Sequence, residues 1–307
     1  MRVAHVPSRH PYVQAIDPDA VMLDDPWSID QIVDGSVDAV HVHFGFEHLS
    51  ADALAGWAES VREAGVVLVH TVHDVDNPHL IDQTPHHRRT QTLVEASDVV
   101  TTLTDSAADR VERQWGRRPV VIPHPPLAST RNPRRPDVTG GGLLWLGTVR
   151  PNLDVEATVT FLTEAEMDVE VVVREDAVDR LPDSIRAAAT TSNGHARTST
   201  VAPRPTDSEL EELVASAGVL VLPYAWGTHS GLVELATDLG VACVTTDSGS
   251  RADQGAATAP RLELAAAARR VLDTGHVPHR PEAAGLAAVR AAHRRLYADS
   301  RTRDARD

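Results

Sequence analysis

The 307-residue sequence contains no lysine, and all 29 of its positive side chains are arginine. That absence excludes Schiff-base lysine enzymes and the Walker-type P-loop, whose lysine contacts phosphate. Cysteine is nearly absent too. A single residue, Cys243, rules out an intrachain disulfide framework or a thiolate metal cluster. It lies in the apolar run VACV at 241–244, which predicts a small core residue. No apolar run reaches about 18 residues, so no membrane span is expected. Basic charge is outweighed by 44 acidic side chains, for a net charge of −15. Such a surface argues against a broad nucleic-acid-binding face, because nothing offsets phosphate repulsion. A local basic pocket for one anionic ligand remains compatible with it. Residues 1–6 lack the shape of a signal peptide and read as a first strand, so a cytoplasmic protein is expected.

What is present fits a soluble globular chain. Hydrophobic residues are 42% and charged residues 24%, and the length suits one large domain or two modest ones. Short apolar runs at 3–6, 39–42, 66–72, 99–103 and 120–122 alternate with helix-period stretches at 51–64, 88–96 and 106–115. Near-continuous Val/Ile/Leu runs suit strands buried on both faces of a parallel sheet. Residues 123–142 then read PHPPLASTRNPRRPDVTGGG. Five prolines and three glycines cannot continue a helix or a central strand there, which predicts an interdomain linker.

The alternation restarts beyond it. Strands are expected at 143–146, 169–173, 219–222 and 241–245. Helices are expected at 155–166, 207–216, 232–239 and 262–274. A final amphipathic helix over 282–297 and a frayed tail at 300–307 close the chain. The expectation is an α/β protein of two Rossmann-like, doubly wound parallel-sheet domains. Residues 1–128 form the first, 129–142 the linker, 143–280 the second, and 281–307 a terminal helix and tail. The cleft between two such domains is the expected ligand site.

Three stretches can carry chemistry. VLVLPYAWGTHSGLVELATDLG at 219–240 is a buried strand, a loop of small residues and a helix start. Gly227, Thr228, His229, Ser230 and Gly231 let backbone approach a ligand. The helix start offers N–H groups and a positive dipole end to an anion. Glu234, one turn in, suits ribose hydroxyls. Equally, Ser230 or Thr228 is a helix cap and Glu234 complements the dipole. LLWLGTVRPNLD at 143–154 ends a strand at Gly147 and places Arg150 in the following loop. An arginine there suits a diphosphate or, as commonly, plain solvent. Third, eight of the 16 histidines fall between positions 41 and 87. His41 and His43 share one strand face, and His73, Asp74 and Asp76 follow a second strand. These residues suit a His/Asp metal-dependent hydrolase, or they simply line a cleft.

The order of these stretches resembles the GT-B-fold, retaining glycosyltransferases of family 4, across about residues 38–255. DAVHVHF at 38–44 resembles the strand before the first cleft loop. VVLVHTVHDVDNPH at 66–79 resembles the segment whose histidine lies near the reacting sugar carbon, which maps to His73. DVVTTLTDSAADRV at 98–111 and VVIPHP at 120–125 resemble the end of the first domain. LLWLGTVRPN at 143–152 resembles the opening of the donor domain. LPYAWGTHSGLVELATDLGVACVTTDSG at 222–249 resembles the nucleotide-sugar-binding segment.

The resemblance implies two domains facing across a cleft and a nucleotide-diphosphate sugar as substrate. It implies an acceptor of unspecified identity, and neither a metal nor another cofactor. His73, Arg150 and Glu234 are implied as catalytic. Gly147, Thr228, His229, Ser230, Gly231 and Glu234 are implied as donor-binding. The chain departs from the family at Thr148 and Leu153, where diphosphate-facing Arg and Lys are usual, and at Trp226, where a first Glu is usual. Those departures also fit a glycosyltransferase-like binding protein that has lost its chemistry. The first domain also lacks the glycine-rich loop often found after the first strand. For a membrane surface, the basic candidate is 269–295, which lacks the aromatic residues of such a face.

Overall fold

The computed structural model describes residues 1–128, 141–191, 195–203, 205–247, 249–278 and 280–304. Most of the expected linker, residues 129–140, lies outside them. The chain forms two compact units. One comprises Met1–Asn77, Asp82–Pro125 and Pro281–Asp307, the other Pro78–Ile81 and Pro126–Arg280.

The first unit runs β1 (Val3–Val6), α1 (Pro11–Ile16), α2 (Ile29–Val33), β2 (Ala39–Val42), α3 (Ala51–Glu63), β3 (Val67–Val72), α4 (Thr84–Ala96), β4 (Val99–Thr102), α5 (Asp105–Trp115) and β5 (Val120–Val121). Its sheet is parallel throughout and its spatial order is the chain order, β1-β2-β3-β4-β5. Side chains alternate between the faces of each strand. Ala4, Val6, Val40, Val42 and Leu68 point to one face and pack against Leu54, Trp57, Ala58 and Val61 of α3 and Leu93 of α4. Val3, Ala39, Val67 and Val69 point to the other.

Crossovers of one hand between sequential strands put α3, α4 and α5 on a single face. The second face therefore needs another cover. It is supplied by Tyr12, Val13 and Ile16 of α1, and by Val289, Leu296 and Tyr297 of a helix from the far end of the chain.

The second unit runs β6 (Gly142–Gly147), α6 (Val155–Glu164), β7 (Val169–Arg174), α7 (Asp183–Thr191), β8 (Ala196–Val201), α8 (Asp207–Ala215), β9 (Val219–Leu222), α9 (Gly231–Leu239), β10 (Ala242–Thr246), β11 (Ala257–Ala259) and α10 (Leu264–Thr274). Then α11 (Leu286–Asp304) returns to the first unit. The six strands are parallel in the order β11-β10-β9-β6-β7-β8. The chain builds outward from β6 through β7 to β8, then crosses back to β9 and builds the other way. The order reverses between β6 and β9, which makes this sheet doubly wound with a switch point there. Leu144, Val171, Val173, Val219, Val221 and Val244 pack on one face, and Leu143, Val172, Leu220, Leu222 and Cys243 on the other. Cys243 is buried as expected, and burial pushes its thiol up to about 12.

Several elements differ from the sequence expectation, and α1, α2, α7 and β11 have no counterpart in it. Helix α4 starts at Thr84, before residue 88, with Pro85 in its first turn. A missing N–H there breaks no helical bond. The terminal helix is a short 3-10 turn, Glu282–Ala284, followed by α11 to Asp304. Ser300 is not in a frayed tail: it is buried, and its hydroxyl donates to Tyr297 O at 2.9 Å. Residues 305–307 lie outside the described residues. Strand β8, ARTSTV, has no fully buried position and lies at the sheet edge. An edge strand needs no apolar run, so sequence patterning misses it.

Candidate functional site

In the second unit, the loops after β6 and β9 leave the sheet on either side of the reversal. Ligands of open α/β sheets bind beyond the strand carboxyl ends at such a point. Here the loops are tied to each other. Asp154 N–H donates to Pro223 O and Ala225 N–H to Asn152 O, both at 2.8 Å. The buried Asn152 side chain donates to Trp226 O at 2.8 Å. Leu153 and Tyr224 form an antiparallel bridge. Asp154 accepts from Ala157 N–H and so caps α6. It also takes both arms of Arg261, at 2.6 and 2.7 Å. Burial alone would raise the Asp154 carboxyl, but Arg261 together with the N–H groups of Ala157 and Glu156 holds it below its ordinary value.

The β6 loop turns sharply. Gly147 and Val149 both have φ of 52°. That region is rare for a β-branched residue, and such backbone strain clusters at ligand-binding sites. Arg150 is exposed and its Nε donates to Thr148 Oγ1 at 3.2 Å. Thr148 and Arg150 therefore present one polar edge.

In the β9 loop, Gly227 has φ of 142°, and a Cβ there would lie 2.6 Å from a guanidinium nitrogen of Arg251. Arg251 is 1% exposed. It donates to Trp226 O at 3.0 Å and sits over the Tyr224 ring, 5.5 Å from its centroid. A permanent positive charge therefore lies beneath the loop. Ser250 N–H also donates to Thr228 O.

Helix α9 opens with Ser230 as N-cap residue, yet the Ser230 hydroxyl makes no capping bond. The cap explanation of Ser230 thus fails. Gln254 takes that region instead, accepting from Ser230 N–H at 3.1 Å and donating to Ser230 O at 3.3 Å. Glu234 is buried. Its Oε1 lies 3.2 Å from His229 Nε2 and accepts from Gln254 Nε2 at 2.7 Å. Its Oε2 accepts from Arg280 Nη2 at 2.7 Å. Arg280 also pairs with Asp238, one helical turn on.

In the first unit, His73 follows β3. It lies against Tyr12 and Phe44, with ring centroids 4.9 and 5.5 Å away. His73 Nε2 is 3.3 Å from His43 Nδ1. His5, His41 and His43 are all buried, with ligand atoms within 4.8 Å of one another. Both ring nitrogens of each are nevertheless within hydrogen-bond reach of other side chains. His41 meets Tyr297 OH at 2.8 Å and Thr71 Oγ1 at 2.7 Å. His5 meets His43 at 2.9 Å and Asp17 at 3.2 Å. A cation there would have to displace these bonds.

Residues 3–125 match the model of Glycosyltransferase Family 4. HepE of Anabaena, solved with UDP-glucose, superposes with a TM-score of 0.59 at 14% identity, over 88% of this chain and 78% of its own. Sucrose-phosphate synthase of Thermosynechococcus elongatus gives 0.56 at 13% identity, over 94% and 77%. The UDP-forming α,α-trehalose-phosphate synthase of Burkholderia xenovorans, solved with glucose-6-phosphate, gives 0.56 at 14%, over 91% and 76%. None of the curated sequences compared with the chain matches it.

The fold is GT-B. Over residues 3–125 the chain is similar to the family-4 glycosyltransferases.

Within this GT-B framework, the structure brings Thr228, His229, Ser230, Gly231 and Glu234 together at the start of α9. Gly147, Thr148 and Arg150 gather after β6. His73 belongs to the first unit. Leu153, where the family usually has a lysine, is 8% exposed and packs in the core. Asn152, Arg251, Gln254 and Arg280 were not anticipated. Each meets a partner far along the chain, and no spacing rule links the two.

Proposed function

We propose that this GT-B protein transfers a sugar from a nucleotide-diphosphate donor to an acceptor hydroxyl, with retention at the anomeric carbon and without a metal. One observation carries the reading: the loops after β6 and β9 are bound to each other at the sheet reversal, beside the amino end of α9. Departure of the diphosphate builds negative charge. Arg150, the first-turn N–H groups of α9 and the buried Arg251 beneath the loop would stabilise it, which is catalysis by preorganised electrostatics. Thr228, His229, Ser230 and Gly231 would approach the donor, and Gly147 leaves room after β6. His73 would hydrogen-bond the donor sugar. Glu234 would hold the ribose. Its carboxylate already meets Arg280 and Gln254, so ribose would join that cluster rather than find a bare carboxylate.

Calorimetry with UDP, GDP, ADP and their sugar forms, in buffer containing EDTA, tests the donor site. Micromolar binding of one nucleotide is expected, weakened about ten- to a hundredfold in Arg150→Ala, because a hydrogen bond to a charged group contributes roughly 1.5–3 kcal/mol. No binding of any of them would sink the reading. A second reading, a sugar-nucleotide-binding protein without turnover, draws on Thr148, Leu153 and Trp226 standing at the family's charged positions. Binding without transfer across a broad acceptor panel would favour it.

A further inference from the structure

The first unit buries a line of imidazoles. Asp17 Oδ2 lies 3.2 Å from His5 Nε2, His5 Nδ1 lies 2.9 Å from His43 Nε2, and His43 Nδ1 lies 3.3 Å from His73 Nε2. The His5 and His43 rings are stacked, 5° from parallel. His5 and His43 are 0% and 1% exposed. The Asp17 side chain, at one end, is 23% exposed.

Such a line has a direction. An ionised carboxylate only accepts hydrogen bonds, and a neutral imidazole donates from one nitrogen and accepts at the other. Asp17 therefore requires the His5 proton on Nε2. His5 Nδ1 then accepts, so the His43 proton is on Nε2. His43 Nδ1 accepts in turn, so the His73 proton is on Nε2. His73 is left with Nδ1 as its acceptor.

We propose that Asp17, His5 and His43 form a proton relay that sets the tautomer of His73 and switches it between hydrogen-bond acceptor and donor. A proton released by a substrate hydroxyl binds His73 Nδ1. The Nε2–H bond of His73 breaks as its proton passes to His43 Nδ1. The Nε2–H bond of His43 breaks as its proton passes to His5 Nδ1. His5 keeps its Nε2 proton and becomes an imidazolium paired with the Asp17 carboxylate. Each ring gains one N–H bond, His43 and His73 each lose one, and no electrons are exchanged. His73 has then changed from acceptor to donor at Nδ1 without holding the charge.

At His5 the transferred charge meets a carboxylate, Asp17, 3.2 Å from Nε2. Burial first, then the neighbouring histidines, hold His43 well below the usual histidine range. The His5 bond holds the Asp17 carboxyl below its ordinary value. His5 is faced by Asp17 after α1, by His41 and His43 of β2, and by His293 and Tyr297 of α11. His73 is faced by Tyr12 of α1 and by His43. Of these, Asp17 carries the opposite charge. His41 stands beside the line rather than in it, because Tyr297 and Thr71 hold its two nitrogens.

The role in sugar transfer rests on the proposed function, but the relay is tested in the free protein. Nitrogen-15 NMR of histidine-labelled protein separates protonated from bare ring nitrogens. Above the histidine range, the protons of His5, His43 and His73 are expected on Nε2. On acidification the relay requires the His73 proton to appear at Nδ1. A His73 proton on Nδ1 at high pH, or one that never appears at Nδ1 on acidification, would overturn the proposal. In Asp17→Asn the side-chain amide both donates and accepts, so the single His73 tautomer should be lost. An unchanged His73 spectrum in that variant would also overturn it. If sugar transfer itself is wrong, donor binding fails while these spectra stand.

Discussion

The two sheets of this molecule are both parallel and both covered by helices, yet they do different work. The second reverses its strand order between β6 and β9, and the reversal opens a place for loops to meet beyond the strand ends. The first keeps chain order and has no reversal among its described strands. What it has instead is a face that α3, α4 and α5 leave bare, closed by α1 of the β1–β2 connection and by α11. That face holds His5 and His41 as well as Val3, Ala39, Val67 and Val69. The polar cluster of the second unit lies beyond the strand ends at the reversal. That of the first unit is buried under a returning helix.

The comparison breaks most visibly if each unit's tie is cut. Arg280→Ala leaves Glu234 and Asp238 buried without their shared arginine. Removing one partner of a buried pair costs about 3–5 kcal/mol. Tyr297→Ala opens a cavity against the first sheet and strips His41 of its phenol, with a loss of about 3–5 kcal/mol for a large buried aromatic. Hydrogen exchange under mild denaturant should report the Arg280 loss in the second unit and the Tyr297 loss in the first. Matching protection loss in both units from either variant would contradict the division of labour.

Acid should separate the units next. Burial lowers His70 and His293 to about 4, and it holds His41 and His43 well below the usual range. All four belong to the first unit. Their folded pKa lies below the unfolded value of about 6.5, so the unfolded state binds more protons as pH falls. Stability is then full above about 6.5 and declines toward pH 4, by on the order of 3 kcal/mol each for His70 and His293. In the second unit, Asp154 is held low by Arg261. Its contribution is present above the ordinary carboxylate value and is lost only at lower pH. Exchange between pH 7 and 4.5 should therefore open the first unit before the second, and the reverse order would refute this.

The parts of this architecture that the sequence discloses are those written in consecutive residues. Buried parallel strands are apolar runs, so β1, β2 and β9 are found at their observed bounds. The glycine-rich loop and helix start at 227–234 are legible for the same reason. What stays hidden is pairing across the chain. Arg280 looks like any surface arginine until it meets Glu234 and Asp238. His5 attracts no notice beside His41 and His43, because its partner Asp17 lies past a helix of only six residues. The sequential order of the first sheet is equally invisible, since every strand in either topology is the same kind of apolar run.

The smallest expected effect sharpens the distinction between scaffold and site within the second unit. Thr206 and Ser230 both stand at helix starts. Thr206 caps α8 in a full capping box with Glu209, so Thr206→Ala should cost about 1 kcal/mol. The Ser230 hydroxyl makes no capping bond at α9. Ser230→Ala should therefore leave the denaturation midpoint within the scatter of an ordinary surface change, about 0.5 kcal/mol, while weakening nucleotide binding in calorimetry. Under the proposed donor reading, a hydroxyl that the helix does not use would serve the ligand. If Ser230→Ala destabilises as much as Thr206→Ala, Ser230 belongs to the scaffold. The donor site would then rest on the backbone and Arg150.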